Sequence, residues 1–230
     1  MRRLVIVLLV LVGLLVGADR IALHLAQKAV ADQARTSAGL STTPTVTAHG
    51  FPFLTQVLRG RYDRIDIKVT DLDRGGVLMK ELDATLRGVK VPLGDVLSGK
   101  VSSIPVSSLD ATALVTFAAL AHRSGIVGVT MTPEGDEIRV TGRVTVLGQS
   151  VRASALSRVS LKGGRIALKA TSFRVLGQST PALMRALTGA LDVLVPVGTL
   201  PYDLHLTGLQ VRSDGLQLSA RSGPTVLRAG

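Results

Sequence analysis

From Thr45 onward, apolar residues return at every second position, the period of a strand that shows alternate side chains to two faces. In residues 64–69, Ile65, Ile67 and Val69 point one way, and Arg64, Asp66 and Lys68 the other. Leu82, Ala84 and Leu86 repeat the pattern, and Val89 and Val91 resume it after a change of phase at Gly88. Ile138, Val140, Val144 and Val146 share a face, as do Val151, Ala153, Ala155, Val159 and Leu161. Ile166, Leu168 and Ala170 slip phase before Phe173 and Val175, and Leu204 and Leu206 slip near Gly208 before Leu209 and Val211. Leu216, Leu218 and Ala220 complete the series. Many of these runs exceed the usual ~5–6 residues of a strand. The slips predict β-bulges, which bend and twist the strand that carries them. Pro133-Glu134-Gly135-Asp136 and Lys162-Gly163-Gly164 read as hairpin connections, which imply antiparallel pairing. The fold class expected is therefore α+β, with a long, strongly curved antiparallel sheet.

Helices interrupt the strands. Thr116 is placed to cap a short one over residues 117–124, ended by Gly125. Thr180-Pro181 opens a longer one carrying Leu183, Met184, Leu187, Leu191, Leu194 and Val195, with Pro196 as its stop. So broad an apolar stripe predicts burial, in the hollow of the sheet. Leu183, Leu187, Leu191 and Leu194 are the candidate lining of an apolar groove. The pentapeptide Val-Leu-Gly-Gln-Ser occurs at 146–150 and again at 175–179; an internal repeat or two similar strand ends explain it equally.

The N-terminus has a different character. Arg2 and Arg3 precede an unbroken apolar run over residues 4–18, which Asp19 and Arg20 end. This is the shape of an export signal. Its fifteen residues reach about 22 Å as a helix at ~1.5 Å each, short of the ~30 Å hydrocarbon core. Val16-Gly17-Ala18 offers small residues for cleavage before Asp19, so residues 1–18 are a signal peptide or a retained signal anchor. The positive end stays inside and the bulk of the chain faces outward, on the envelope or periplasmic side. Residues 19–38 continue as a helix with Ile21, Ala22, Leu25, Ala26, Ala29 and Val30 on one stripe, a face that wants a packing partner, and Gly39 as its stop. Residues 19–230 then form a single β-rich domain.

Composition narrows the function. The formal net charge of +11 draws the chain toward polyanions. Aromatics make up only 3% and tryptophan is absent, so the basic–aromatic interleaving that stacks on bases is missing, and nucleic acid is not an expected partner. Anionic lipid at a membrane surface is. Without cysteine there are no disulfides, thiolate metal sites or cysteine nucleophiles. Catalytic and cofactor motifs fail in detail. Residues 94–100 fit the start of a phosphate-binding loop, but Val101 stands where Ser or Thr must hold magnesium, and the stretch reads as a turn between strands. His24, His49, His122 and His205 lack metal-pair spacing, and Gly148-Gln149-Ser150 is followed by Val151-Arg152 rather than by a residue and glycine. Asp71-Leu72-Asp73-Arg74-Gly75 lacks the later oxygen ligands of a calcium loop and reads as a polar turn. The expectation is a non-enzyme without metal or cofactor.

One stretch stands apart. Phe51 and Phe53 bracket Pro52, and Arg59, Arg61 and Arg64 follow closely. Either this is a membrane-facing edge, with aromatics in lipid beside arginines that hold phosphate, or the phenylalanines plug one end of the core and the arginines are solvated. Geometry alone favours the second. Gly50-Phe51-Pro52-Phe53-Leu54-Thr55-Gln56, followed by Gly60-x-Tyr62 and an alternating strand, resembles the signature of the LmeA-like envelope phospholipid-binding proteins of actinobacteria. Leu200-Pro201-Tyr202, a strand over 203–212 and Gly215-Leu216 are similar to that family's C-terminal end. The likeness of layout extends over residues 1–220, and residues 50–69 are its specific part. It implies a TULIP-type fold, a long sheet wrapped around a helix with an apolar groove for acyl chains. It also implies phospholipid binding in support of cell-envelope lipid or lipoglycan assembly. The alternative is an anchored scaffold with a filled core that docks an envelope-biosynthesis enzyme.

Overall fold

The computed structural model describes residues 2–74, 77–98, 101–123, 128–146, 149–176, 193–195 and 200–228. It is an α+β protein in which a long helix precedes open antiparallel sheets. Helix α1 (Arg2–Ala38) runs unbroken from the leader into the domain, and Gly39 ends it with a positive φ of 61°. Then follow β1 (Thr45–His49), α2 (Phe53–Arg59), β2 (Arg61–Arg74), β3 (Val77–Lys90), α3 (Leu93–Leu97), β4 (Ser103–Val106), β5 (Ser108–Thr116) and α4 (Phe117–Arg123). A meander of β6 (Thr130–Glu134), β7 (Glu137–Val146), β8 (Gln149–Lys162) and β9 (Arg165–Leu176) leads to β10 (Val193–Val195). After a single 3-10 turn (Pro201–Asp203), β11 (His205–Val211), β12 (Gly215–Ser222) and β13 (Thr225–Arg228) close the chain.

The hydrogen-bonded strand orders are β1-β2-β3-β5-β12-β11, β10-β9-β8-β7-β6, and the pair β13-β4. The chain divides into two compact units. The first comprises Met1–Val69, Asp83–Asp110 and Ser222–Gly230; the second comprises Thr70–Leu82 and Ala111–Arg221.

In the first unit, β1 and β2 pair so that Val46 and Ala48 face Ile67 and Ile65, while Thr47 and His49 face Asp66 and Arg64. Val46, Phe53, Val69, Leu86, Val89 and Leu109 are buried here. Leu86 and Val89 are both buried although they differ in strand phase, because Gly88 between them takes φ +59°. A Cβ at Gly88 would collide with Ser107 Oγ, so the phase change requires glycine. Helix α1 meets the unit through a small-residue face: Ala31 is buried, whereas Ile21, Leu25 and Val30 are exposed. Of the stripe expected from the sequence, Ala22 and Ala26 are half-buried, as is Leu23 beside them, while Ile21, Leu25, Ala29 and Val30 turn outward.

In the second unit, Phe117, Ile138, Val159 and Leu216 form the buried cluster, with Leu120, Met131, Ile166, Leu168, Leu209 and Val211 packed around it. Both expected hairpins are present. Glu134 pairs with Glu137 around Gly135, and Lys162 pairs with Arg165 across Gly163 and Gly164, whose φ values of 57° and 71° suit the tight turn that matches strand twist. Register shifts fall between Leu156 and Ser157 in the β8–β9 ladder and between Leu206 and Gly208 in the β11–β12 ladder, where the hydrophobic phase slips. On β9 the residue passed over is Thr171, whose hydroxyl donates to the Leu156 carbonyl at 3.2 Å. Thr116 caps α4 by accepting from the Ala119 N–H at 3.2 Å.

Three local expectations change. Residues 71–74 continue β2 instead of turning, with the irregularity taken up at Asp71, whose φ is 53°. Residues 93–97 form a short helix, α3, behind Pro92. Val193–Val195 is a strand paired antiparallel with Ile166, Ala167 and Leu168, so Leu194 and Val195 are not helical. The β-branched Val-Leu-Val run takes the open edge of β9, an environment that favours such residues over a helix end. Leu183, Leu187 and Leu191 and the rest of the expected long helix lie outside the described residues. So do parts of both Val-Leu-Gly-Gln-Ser copies.

Candidate functional site

The segment between β1 and β2 gathers the residues singled out in the sequence. It is shaped by glycines and a buried amide, and its Phe51-Pro52 peptide bond is cis. Gly50 takes φ +105°, and a Cβ there would collide with Gln56 Nε2. That space lets Gln56 reach both flanking strands. Its Nε2 donates to the His49 carbonyl at 3.1 Å, and its Oε1 accepts from the Asp63 N–H at 3.0 Å. Gln56 is therefore buried and satisfied, and it ties the end of β1 to the start of β2 across α2. Gly60 closes α2 in the left-handed conformation, with its N–H turned back to the Gln56 and Val57 carbonyls. A Cβ at Gly60 would meet Pro92 Cα at 2.9 Å, so α2 is pinned against the start of α3.

The start of α2 is completed from outside the segment. Pro52, at the N-cap, has no side-chain oxygen to offer. The Asp19 carboxylate of α1 takes that role, accepting from the Leu54 N–H at 2.7 Å. Asp19 is only 2% exposed. Its carboxylate also pairs with the Arg20 guanidinium, which lies 5.1 Å over the Phe51 ring.

The candidate residues now separate. Phe53 is buried and packs against Tyr62, ring centroids 6.2 Å apart, so it plugs the core; burial also pushes the Tyr62 hydroxyl above its ordinary pKa. Phe51 stays 63% exposed. Leu54 and Leu58, one turn apart on α2, are exposed as well. Arg64 is engaged on the polar face of the β1–β2 ladder. Its Nη2 donates to Asp66 Oδ2 at 2.7 Å, and His49 Nε2 lies 2.8 Å from the same oxygen. Thr85 donates to the other carboxylate oxygen at 2.9 Å. Burial opposes ionisation of Asp66, but the bonds from Arg64, Thr85 and His49 outweigh it and hold the carboxyl below its usual range. Arg59 and Arg61 are exposed, and among the described residues neither is paired with a carboxylate. The segment thus presents Phe51, Leu54 and Leu58 beside two arginines available to an anion.

Sequence reasoning missed Asp19, Gln56, Leu54 and Leu58. In the sequence Asp19 looks only like the end of the apolar run. The signal that points to it is the proline at the α2 N-cap, which leaves backbone donors that need an acceptor from elsewhere. A glutamine between Phe53-Leu54 and Val57-Leu58 in a short helix is the corresponding signal for Gln56.

Open antiparallel sheets following a long apolar helix make an α+β protein whose architecture is consistent with a TULIP-like fold. A family model described as LmeA-like phospholipid-binding matches residues 17–221, and the chain belongs to that family. No curated protein matches the chain. The matched span begins just before Asp19 and takes in the whole segment from Gly50 to Arg64.

Proposed function

We propose that this chain is exported, remains on the outer side of the membrane, and binds anionic phospholipid without catalysis in support of cell-envelope lipid or lipoglycan assembly. The observation that carries the reading is the phospholipid-binding family match over residues 17–221. The apolar α1, long enough to cross a membrane, supports the membrane location. Acyl chains enter an apolar groove, for which Leu183, Leu187, Leu191 and Leu194 are the lining expected from the sequence, each buried methylene contributing about 0.8 kcal/mol. Arg59 and Arg61, exposed at the end of α2 and the start of β2, hold the phosphate, for which the guanidinium fork is suited. Arg64 orients the strand through Asp66 and leaves the headgroup to the other two.

The test has two readings of one preparation. Native mass spectrometry of the purified chain is expected to show retained phospholipid, and a chain free of lipid would overturn the proposal. Co-sedimentation with phosphatidylglycerol vesicles at low salt then compares the parent with the Arg59→Ala, Arg61→Ala double variant. At about 1 kcal/mol per basic residue, the double variant binds roughly thirtyfold more weakly. Its binding to phosphatidylcholine vesicles stays nearly unchanged. Equal binding of both proteins to the anionic vesicles would remove the headgroup role of these arginines.

A further inference from the structure

The apolar surface of α1 does not stop where the sequence changes character. Residues 4–16 carry exposed leucines, valines and isoleucine, and beyond Asp19 and Arg20 the exposed apolar face resumes with Ile21 at 64% and Leu25 at 61%. Residues 4–25 of a helix reach about 33 Å, which fits the ~30 Å hydrocarbon core that residues 4–18 alone fail to span. Asp19 would be costly at that depth if it were free. It is instead withdrawn from the surface, hydrogen-bonded to the Leu54 amide and paired with Arg20. The same contact holds α2 against α1 at the level of Asp19, about 9 Å short of Leu25 along the helix, so Phe51, Leu54 and Leu58 stand where they would enter the lipid, with Leu58 75% exposed. Arg20 lies over the Phe51 ring, and exposed Arg59 and Arg61 follow Leu58 in the chain; their long side chains reach toward anionic headgroups while their stems stay in apolar surroundings.

We infer that α1 is retained as a membrane anchor, that the bilayer boundary lies near Leu25 instead of Asp19, and that the Asp19 bond to α2 presses the Phe51, Leu54 and Leu58 face into the lipid surface. This rests on the membrane location proposed above but not on a lipid bound within the domain. Asp19 is a positioning residue: it joins the anchor to the domain without a flexible linker, and it fixes which edge of the domain meets the membrane.

The chain contains no tryptophan, so Leu58→Trp introduces a single indole fluorophore at an exposed position. The full chain carrying it is reconstituted into vesicles of phosphatidylcholine and phosphatidylglycerol with brominated acyl chains. The expected result is blue-shifted emission quenched by bromines placed about 5–10 Å below the headgroups, with protection from acrylamide. Adding Asp19→Ala is expected to shift the emission to the red and to lose the bromine quenching while α1 stays in the membrane. Water-like emission with no bromine quenching in the Leu58→Trp chain would overturn the inference, whatever the Asp19 variant does. A membrane-recovered chain whose mass begins at Asp19 would overturn retention of the anchor. Phospholipid bound by the domain is measured in the same preparation. Retained lipid with the indole in water removes the docking face alone, and a membrane-embedded indole without domain-bound lipid removes the lipid-binding function alone.

Discussion

Two parts of the molecule reach definite structures from different kinds of sequence. Between β1 and β2, three residues fix the chain by single contacts: Gln56 spans the His49 carbonyl and the Asp63 amide, Gly50 leaves room for it, and Asp19 completes α2 from another element. In the β7–β9 meander the work is distributed. Ten residues of β7 pair in register with β8, and Ile138, Ala155 and Val159 are buried by simple alternation. Many sequences satisfy an alternating meander, because any apolar residue of suitable size serves. Few satisfy the β1–β2 segment, where Gly50, Gly60 and Gln56 each hold a position that other residues fill poorly. The specific motif of the chain is therefore first a structural device. Its residues Phe51, Leu54, Leu58, Arg59 and Arg61 are held exposed because Phe53, Gln56 and Gly60 fix the segment in place.

The contrast is broken most directly in the meander. Ile138, 1% exposed, sits in the cluster with Phe117, Val159 and Leu216. Ile138→Ala is expected to cost about 2–5 kcal/mol, since the neighbouring strands relax only partly into the cavity. Urea denaturation of the purified chain measures it. A loss well below about 1 kcal/mol would mean the site collapses freely, and the meander would then be a looser assembly than the burial of Ile138 implies.

A smaller effect is expected at Gln56, and it has a signature the core variant lacks. Gln56→Ala leaves the His49 carbonyl and the Asp63 amide without their partner, at about 1–3 kcal/mol. Gly50→Ala also destabilises, through its positive φ and through the contact with Gln56 Nε2. Combining the two relieves the contact with Gln56 and leaves the backbone strain and a milder approach to Asp63 Oδ2, so the double variant is expected to be more stable than the sum of the single losses predicts. Additive losses in such a double-mutant cycle would show that Gln56 and Gly50 act independently, and the account of the motif as one interlocked device would fall.

The same division explains what was legible in the sequence. The strand phases, both hairpin turns and the slips at Gly88, before Phe173 and near Gly208 follow from periodicity, because each strand shows its two faces to different surroundings. Val193–Val195 reads as a helix end, since a short apolar run satisfies both periods and only pairing with Leu168 and Ile166 decides between them. The site was legible as a place and not as an arrangement. Phe51 and Phe53 are alike in sequence, yet one is exposed and the other buried. Arg59, Arg61 and Arg64 are alike, yet only Arg64 meets Asp66, two residues along the same strand face. Contacts between residues as distant in sequence as Asp19 and Leu54 leave no periodic trace, so the residue that positions the segment was hidden while the segment itself was not.

The smallest effect sharpens the comparison from the polar face of β1–β2. The Asp66 carboxylate accepts from Arg64, Thr85 and His49, and its folded-state pKa is lowered. A carboxyl whose pKa falls on folding contributes stability that is fully present above its unfolded value, about 4, and is lost as the pH drops through the lower folded value. Asp66→Asn removes that contribution. The variant is expected to be slightly less stable than the parent at neutral pH, and the difference should close as acid protonates Asp66 in the parent. The carboxylate is partly exposed, so solvent and salt screen it and the gap at neutral pH stays modest. Denaturation midpoints of both proteins between pH 7 and the acid limit of folding give the measurement. A gap that stays constant with falling pH would assign the loss to the amide's poorer hydrogen-bonding geometry. The charge on Asp66 would then have no part in engaging Arg64 while Arg59 and Arg61 stay exposed.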